Sequence, residues 1–127
     1  MAKMRSDLGT ARALGSARDG FHHWWIERLS AIALVPLTLW FACGVISVAG
    51  ADYAEFAAWL GKPWNAGLMI CFIAAAFLHG KMGMEVIIED YVEPRSVQLA
   101  VKVFVNLMAF ALGIVSVVSV LIVALRG

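Results

Sequence analysis

The chain has 127 residues, of which 62% are hydrophobic and 15% are charged, and its formal net charge is +1. This balance excludes an ordinary soluble globular domain, in which about half of the residues are apolar and about a quarter are charged. A net charge near zero, without a block of basic residues, also argues against a nucleic-acid partner. We therefore expect residues 1–127 to form a single domain dissolved in membrane lipid.

Three stretches contain no Asp, Glu, Lys or Arg, namely residues 29–51, 63–80 and 103–125. A bilayer core of about 30 Å is crossed by about 20 helical residues. The middle stretch reaches this length when Lys81 snorkels to the membrane surface and the helix continues beyond it. The sequence therefore predicts an all-α integral membrane protein with a cytoplasmic segment at 1–27 and transmembrane helices at 28–50, 64–90 and 100–125.

Orientation follows from the basic residues in the short flanks, because cytoplasmic segments carry the excess of Lys and Arg. The N-terminal flank, up to the first residue of the first span, holds five of them, at positions 3, 5, 12, 18 and 28. The first loop holds only Lys62, the second holds Lys81, Arg95 and Lys102, and the tail holds Arg126. This distribution predicts a cytoplasmic N-terminus and a periplasmic C-terminus.

The N-terminal segment and the first loop add two expectations. Residues 1–28 lack the apolar stretch of a cleavable signal peptide and are richer in acids than a mitochondrial transit peptide, so we expect a bacterial inner-membrane protein. Residues 52–61, in the first loop, are interpreted as a short helical turn at the membrane surface.

His79 is the histidine that lies within a predicted span, and ionisable residues in spans are costly and usually functional. On a helix, Ala75 and Ala76 lie one turn before it and Gly83 one turn after it, on the same face. A histidine nitrogen beside small residues suits the axial ligation of a haem, whose ring needs close approach to the helix. The alternative is a structural histidine that hydrogen-bonds a Ser or a carbonyl of another helix. Spacing alone leaves both interpretations open.

Asp90 and Tyr91 end the second predicted span, shortly before Pro94. Asp90 follows His79 by eleven residues, which on a continuous helix gives nearly the same face at an axial separation of about 16 Å. Tyr91 is a phenolic donor suited to a quinone carbonyl, and Asp90 is an acid suited to relaying a proton. The alternative is a solvated helix end with Tyr91 as an interfacial anchor.

Other polar residues near the spans allow weaker interpretations. A cation at Arg28 suits haem propionates or lipid phosphate, or simply snorkels. The adjacent His22 and His23 point about 100° apart on a helix, which disfavours a shared metal ion. Lys81 and Glu85 are four residues apart, a spacing that allows an ion pair on the helix surface.

Several of these residues together resemble the small hydrophobic membrane anchor of succinate dehydrogenase, with the alphaproteobacterial type as the best match. The resemblance rests on Gly15, Ser16 and Ala17, on His23, Trp24 and Trp25, on residues 28–31 (Arg-Leu-Ser-Ala), on His79, Gly80 and Gly83, and on residues 89–92 (Glu-Asp-Tyr-Val). It spans nearly the whole chain, and the specific part is the histidine with Gly83 and with the Asp-Tyr pair eleven residues on.

The resemblance implies a role in respiratory complex II, in which a flavoprotein oxidises succinate and an iron-sulfur protein passes the electrons to ubiquinone. It implies that His79 is an axial ligand of haem b and thus binds the haem iron, and that Tyr91 and Asp90 lie at the quinone site. Arg28 is implied to contact a haem propionate or the quinone side. The isolated chain would perform no succinate chemistry and would work only as one part of the enzyme.

A partner is also expected on physical grounds. A six-coordinate haem needs two axial groups and this chain offers one at a suitable depth, so the second must come from elsewhere. The resemblance identifies that partner as a second three-helix anchor, the cytochrome b556 chain of the complex. Two alternatives remain, namely the anchor of another quinone-linked cytochrome b complex of the fumarate reductase type, and a haem-free three-helix scaffold protein.

Overall fold

The computed structural model describes Leu8 and residues 16–127, with side chains described at Leu8 and from Gly20 onward. These residues form four helices: α1 (Ser16–Ser47), α2 (Tyr53–Leu60), α3 (Pro63–Tyr91) and α4 (Arg95–Arg126). No strand occurs among them. The predicted all-helical architecture is confirmed.

Three of the described helices are long and apolar enough to cross a membrane, over Gly20–Ser47, Pro63–Tyr91 and Arg95–Arg126. The shortest has 28 residues, which is about 42 Å of helix and exceeds a hydrocarbon core of about 30 Å. The prediction of three helices of spanning length is therefore confirmed. Helix α1 begins at Ser16, well before Arg28, so part of the segment expected to precede the first span is helical too.

The three long helices form an open layer with α3 in the middle. Helix α3 packs against both α1 and α4, whereas no Cα atom of α1 lies within 8 Å of a Cα atom of α4. Among the described residues the buried hydrophobic side chains are few: Ala57, Leu60, Met82, Ile88 and Val120. The broad faces of the layer are apolar and exposed, so lipid or other polypeptides must cover them.

Helix α2 joins the ends of the long helices on the side of Trp64. It starts with a capping box, in which the Asp52 carboxylate accepts from the Glu55 amide at 2.8 Å and the Glu55 carboxylate accepts from the Asp52 amide at 3.4 Å. Trp59 then stacks on Trp40 of α1 with ring centroids 5.9 Å apart. The Asn65 amide of α3 donates to the Trp59 carbonyl at 2.8 Å. The expected short helix is thus present and ties α1 to α3.

Gly44 provides the space for this tryptophan. A Cβ atom at Gly44 would lie 2.8 Å from Cζ2 of Trp59. We expect Gly44→Ala to lower the free energy of unfolding by about 1–3 kcal/mol, because a rigid indole held by its neighbours must move. Thermal unfolding in mild detergent measures this loss.

Gly67→Ala is the matched control, since a Cβ atom at Gly67 would meet nothing within 4 Å. It should cause no loss, because alanine is the better helix former. Equal melting temperatures for the two variants would contradict the assigned role of Gly44.

A polar cluster ties the long helices together at the other end, on the side of Tyr91. Glu85 of α3 accepts a hydrogen bond from the Asn106 amide of α4 at 2.8 Å, and its second oxygen lies 3.7 Å from Nε2 of His23 in α1. Glu89 forms an ion pair with Lys102. The allowed Lys81–Glu85 pair does not form among the described residues. Residues of the facing helices engage Glu85 instead.

Candidate functional site

His79 lies on the middle helix, half-buried against α1. Its Nδ1 atom is 3.1 Å from Oγ of Ser30. Ser30 is the buried polar residue of the described chain, at 6% exposure. Its hydroxyl donates to the carbonyl of Glu27, one turn earlier on α1, at 2.9 Å. A short chain of hydrogen bonds therefore runs from the imidazole through Ser30 to the backbone of α1.

This chain of hydrogen bonds assigns the tautomer of His79. A serine hydroxyl has one hydrogen, and here that hydrogen points to the Glu27 carbonyl. Ser30 Oγ therefore accepts from the imidazole, which places the ring proton on Nδ1. The lone pair is then on Nε2, which has no hydrogen-bond partner among residues 20–127. A fixed Nδ1–H with an available Nε2 is the form in which histidine binds metals.

The hydrogen bond also bears on the two interpretations of His79. One interpretation is a structural histidine that hydrogen-bonds a serine of another helix, and a bond of this kind is present between His79 and Ser30. It occupies only one of the two ring nitrogens, however, and leaves the other in the ligating form. The same contact that would define a structural histidine therefore also prepares a ligand.

Small residues flank His79 on an open side of α3. Ala75 and Ala76 are half-buried one turn before it. At Gly80 and Gly83 an added Cβ atom would meet nothing within 4 Å. The surface beside the imidazole is thus flat backbone with open space in front of it, which suits the close approach of a planar group.

Asp90 and Tyr91 lie on the same unbroken helix as His79, because α3 runs from Pro63 to Tyr91. The condition for an axial separation of about 16 Å between His79 and Asp90 is therefore met. Asp90 is exposed, and Tyr91 is 82% exposed at the end of the helix. Within residues 20–127 neither side chain makes a hydrogen bond, so both are available to a ligand or to another chain.

Arg28 stands apart from the imidazole. Its guanidinium lies 5.7 Å from the centroid of the Trp24 ring, and its side chain is exposed. Arg28 precedes Ser30 by two residues, which puts the two side chains about 160° apart around α1. The structure therefore joins His79 to Ser30 and leaves Arg28 on the opposite face of that helix.

Sequence reasoning identified His79 but not its partner. Ser30 and His79 are 49 residues apart in the chain, and the register between α1 and α3 decides which polar group meets the imidazole. In the sequence, Ser30 is a hydroxyl residue near the start of an apolar stretch. That position fits a serine bonded to its own helix as well as one bonded to another helix. The contacts of Glu85 with α1 and α4 depend on the same register between helices.

A bare metal ion is a poor fit to this site. Among the described residues no group of three or more His, Cys, Asp or Glu side chains is placed to hold one. A single imidazole suits a haem, whose iron takes protein ligands only at its axial positions. The ligating tautomer, the small residues and the open space fit such a group.

Residues 2–122 match the family described as succinate dehydrogenase/fumarate reductase transmembrane subunit. The chain is 29% identical to the succinate dehydrogenase hydrophobic membrane anchor subunit of Rickettsia bellii over 116 residues, which covers 87% of this chain and 93% of that protein. It is 33% identical to the protein of the same description from Paracoccus denitrificans over 81 residues, 64% of this chain and 63% of that protein. The succinate dehydrogenase membrane anchor subunit of Reclinomonas americana is 30% identical over 95 residues, with 72% and 79% covered. No solved structure gives a significant match.

Proposed function

The chain belongs to the succinate dehydrogenase/fumarate reductase transmembrane subunit family, and we propose that it is the hydrophobic membrane anchor of a succinate:ubiquinone oxidoreductase. The family resemblance expected from the sequence is confirmed. The chain is a multi-pass protein of the bacterial inner membrane. The observation that carries the proposal is the match over residues 2–122, and the geometry at His79 supports its finer points.

In the proposed complex the chain is one domain, with its N-terminus in the cytoplasm and its C-terminus in the periplasm. It holds the iron-sulfur protein, and through it the flavoprotein, at the cytoplasmic surface. It packs with a second three-helix anchor, the cytochrome b556 chain. The open layer supports this packing, because exposed apolar helix faces that carry polar groups favour a larger helical bundle over a solitary chain.

His79 would bind the iron of haem b through Nε2, and the partner anchor would supply a further ligand. Ser30 would hold the imidazole in its ligating tautomer, and Gly80 and Gly83 would admit the ring close to α3. Haem supplies one-electron redox chemistry when bound. Arg28 remains the proposed contact for a propionate or for the quinone side, reached from the outer face of α1.

Tyr91 and Asp90 would form this chain's part of the ubiquinone site. Reduction of the quinone to the quinol takes up two electrons and two protons. The Tyr91 hydroxyl would donate a hydrogen bond to a quinone carbonyl, which becomes more basic as electrons arrive. The Asp90 carboxyl would pass on protons from the aqueous side. The chain takes no part in succinate oxidation.

Purification in mild detergent tests the proposal. Recovery of a flavoprotein, an iron-sulfur protein and a second small anchor, with a b-type band in the reduced-minus-oxidised spectrum, is the expected result. The family description covers fumarate reductase as well, whereas the relatives named above carry the succinate dehydrogenase name. A chain recovered alone and without haem would instead indicate a scaffold protein.

Ser30→Ala tests the role of the serine as a positioning residue. We expect a 10- to 100-fold loss of haem affinity, on the order seen when the hydrogen-bond partner of a ligating histidine is removed. Ser30→Thr retains the hydroxyl and should restore binding. Haem content per anchor chain and the midpoint potential of the b band are the measurements. If Ser30→Ala kept the haem content and potential of the unmodified protein, Ser30 would have only a packing role.

A further inference from the structure

A groove between α3 and α4 has no role in the proposed function. The groove is open to the surroundings and has a volume of about 680 Å³, and its walls are almost entirely apolar. Phe77 and Leu78 of α3 and Phe110 and Val117 of α4 contribute to these walls. Lys81 follows His79 by two residues, which puts it about 160° away around α3, so the groove is on the side of α3 away from the Ser30–His79 pair.

The length and depth of the groove match one leaflet of a bilayer. On α4 it extends from Asn106 to Val118, whose Cα atoms are about 18 Å apart along the helix axis. Half of a bilayer core is about 15 Å. On α3, Lys81 follows Pro63 by eighteen residues, which is about 27 Å of helix. The hydrocarbon core is about 30 Å thick, so with Pro63 at one membrane surface the Lys81 ammonium lies near the headgroups of the other.

The groove has a cation at its Tyr91 end. Lys81 lines it there beside Asn106, and within residues 20–127 it has no acidic oxygen within 4.0 Å. Both nearby acids on α3 already have partners: Glu85 contacts Asn106 and His23, and Glu89 pairs with Lys102. The Asn106 amide nitrogen is also engaged, since it donates to Glu85 and to the Lys102 carbonyl. Lys81 is thus the available charge in an apolar channel.

We propose that this groove binds one anionic phospholipid, with its phosphate on the Lys81 ammonium and an acyl chain along Phe77, Phe110 and Val117. Charge complementarity selects this occupant. A helix of a partner would bring no anion to Lys81 unless it carried a buried acid, whereas an anionic lipid presents a phosphate at headgroup depth with apolar tails beneath it. The site is separate from that of haem and quinone.

Native mass spectrometry of the purified complex tests the headgroup contact. The probes are phosphatidylglycerol and phosphatidylcholine with identical acyl chains, added in turn to delipidated protein. We expect the unmodified complex to prefer phosphatidylglycerol, and Lys81→Gln to lower that preference roughly fivefold, the contribution of one lysine near an anionic lipid surface. Lys81→Arg should retain the preference. Lys62→Gln, which removes an exposed lysine from the loop between α2 and α3, is the matched control and should retain it as well.

Two results of this experiment would overturn the proposal. One is an unmodified complex that binds both lipids equally. The other is an equal loss of preference in the Lys62 and Lys81 variants, which would indicate a general effect of charge.

Photo-crosslinking identifies the occupant directly. Phe110 lines the groove and is 71% exposed, so p-benzoylphenylalanine at this position reports what lies against it. After irradiation of native membranes, an adduct with the mass of a phospholipid is the expected product. A crosslink to another protein of the complex or to quinone would refute the assignment.

Discussion

The complex carrying His79→Leu is expected to retain at most about one-tenth of its haem. Removing a residue that hydrogen-bonds a ligating histidine already weakens metal binding about 10- to 100-fold, and removing the histidine itself costs more. The protein should still insert and fold. Leucine is favourable within a span, and Ser30 keeps its hydrogen bond to the Glu27 carbonyl when the imidazole is gone. No buried polar group is therefore left without a partner.

The measurement for this variant is the reduced-minus-oxidised spectrum, normalised to the amount of anchor chain in the membrane. His22→Leu is the matched control, because His22 is an exposed histidine on α1 with no part in the site, and it should keep the full b-type band. An unchanged band in His79→Leu would rule out His79 as the ligand. A reduced amount of inserted chain would be visible by immunoblot and is corrected for by the normalisation.

Quinone reduction by the complex carrying Tyr91→Phe should fall about three- to tenfold, while succinate oxidation by artificial acceptors is preserved. The change removes one hydroxyl, and a single hydrogen bond is worth about 0.5–1.5 kcal/mol. Tyr91 is 82% exposed at the end of α3, so its phenol makes little packing that the change could disturb. A loss confined to quinone therefore reports on binding or reduction of the quinone.

Tyr53→Phe is the control for this experiment. Tyr53 is the other tyrosine of the chain, 68% exposed at the start of α2 and at the opposite end of the long helices. It should leave both activities unchanged. If the complex carrying Tyr91→Phe reduced quinone as fast as the unmodified complex, Tyr91 would be excluded from the quinone site. The interpretation of Tyr91 as an interfacial anchor would then hold.

The long helices were predictable because charge is so costly in lipid that uncharged stretches mark the spans directly. The early start of α1 was not. Residues 16–27 mix His, Trp and charged side chains. Such a composition is compatible with the headgroup region, where a helix can continue, so it does not show where α1 begins. For α2 the sequence supports a full helix and not only a short turn, because Asp52 and Glu55 have the spacing of a capping box.

The candidate site was predictable only as far as contacts within one helix. The relation of His79 to Gly83 and Asp90 follows from the helical repeat. Contacts between helices depend on the axial register of α1, α3 and α4, which apolar patterning does not specify. For that reason Ser30, and the contacts of Glu85 with His23 and Asn106, emerged only from the structure.

Within the described chain no Cα atom of α1 lies within 8 Å of a Cα atom of α4, so the two sides of α3 pack against different helices. The imidazole is fixed by Ser30 of α1, whereas the lipid groove is formed with α4. Glu85, which contacts both α1 and α4, lies six residues beyond His79, so a shift of α4 does not act directly on the Ser30–His79 bond. A change in membrane composition should accordingly alter the yield and thermal lifetime of the complex while the optical signature of its haem stays the same.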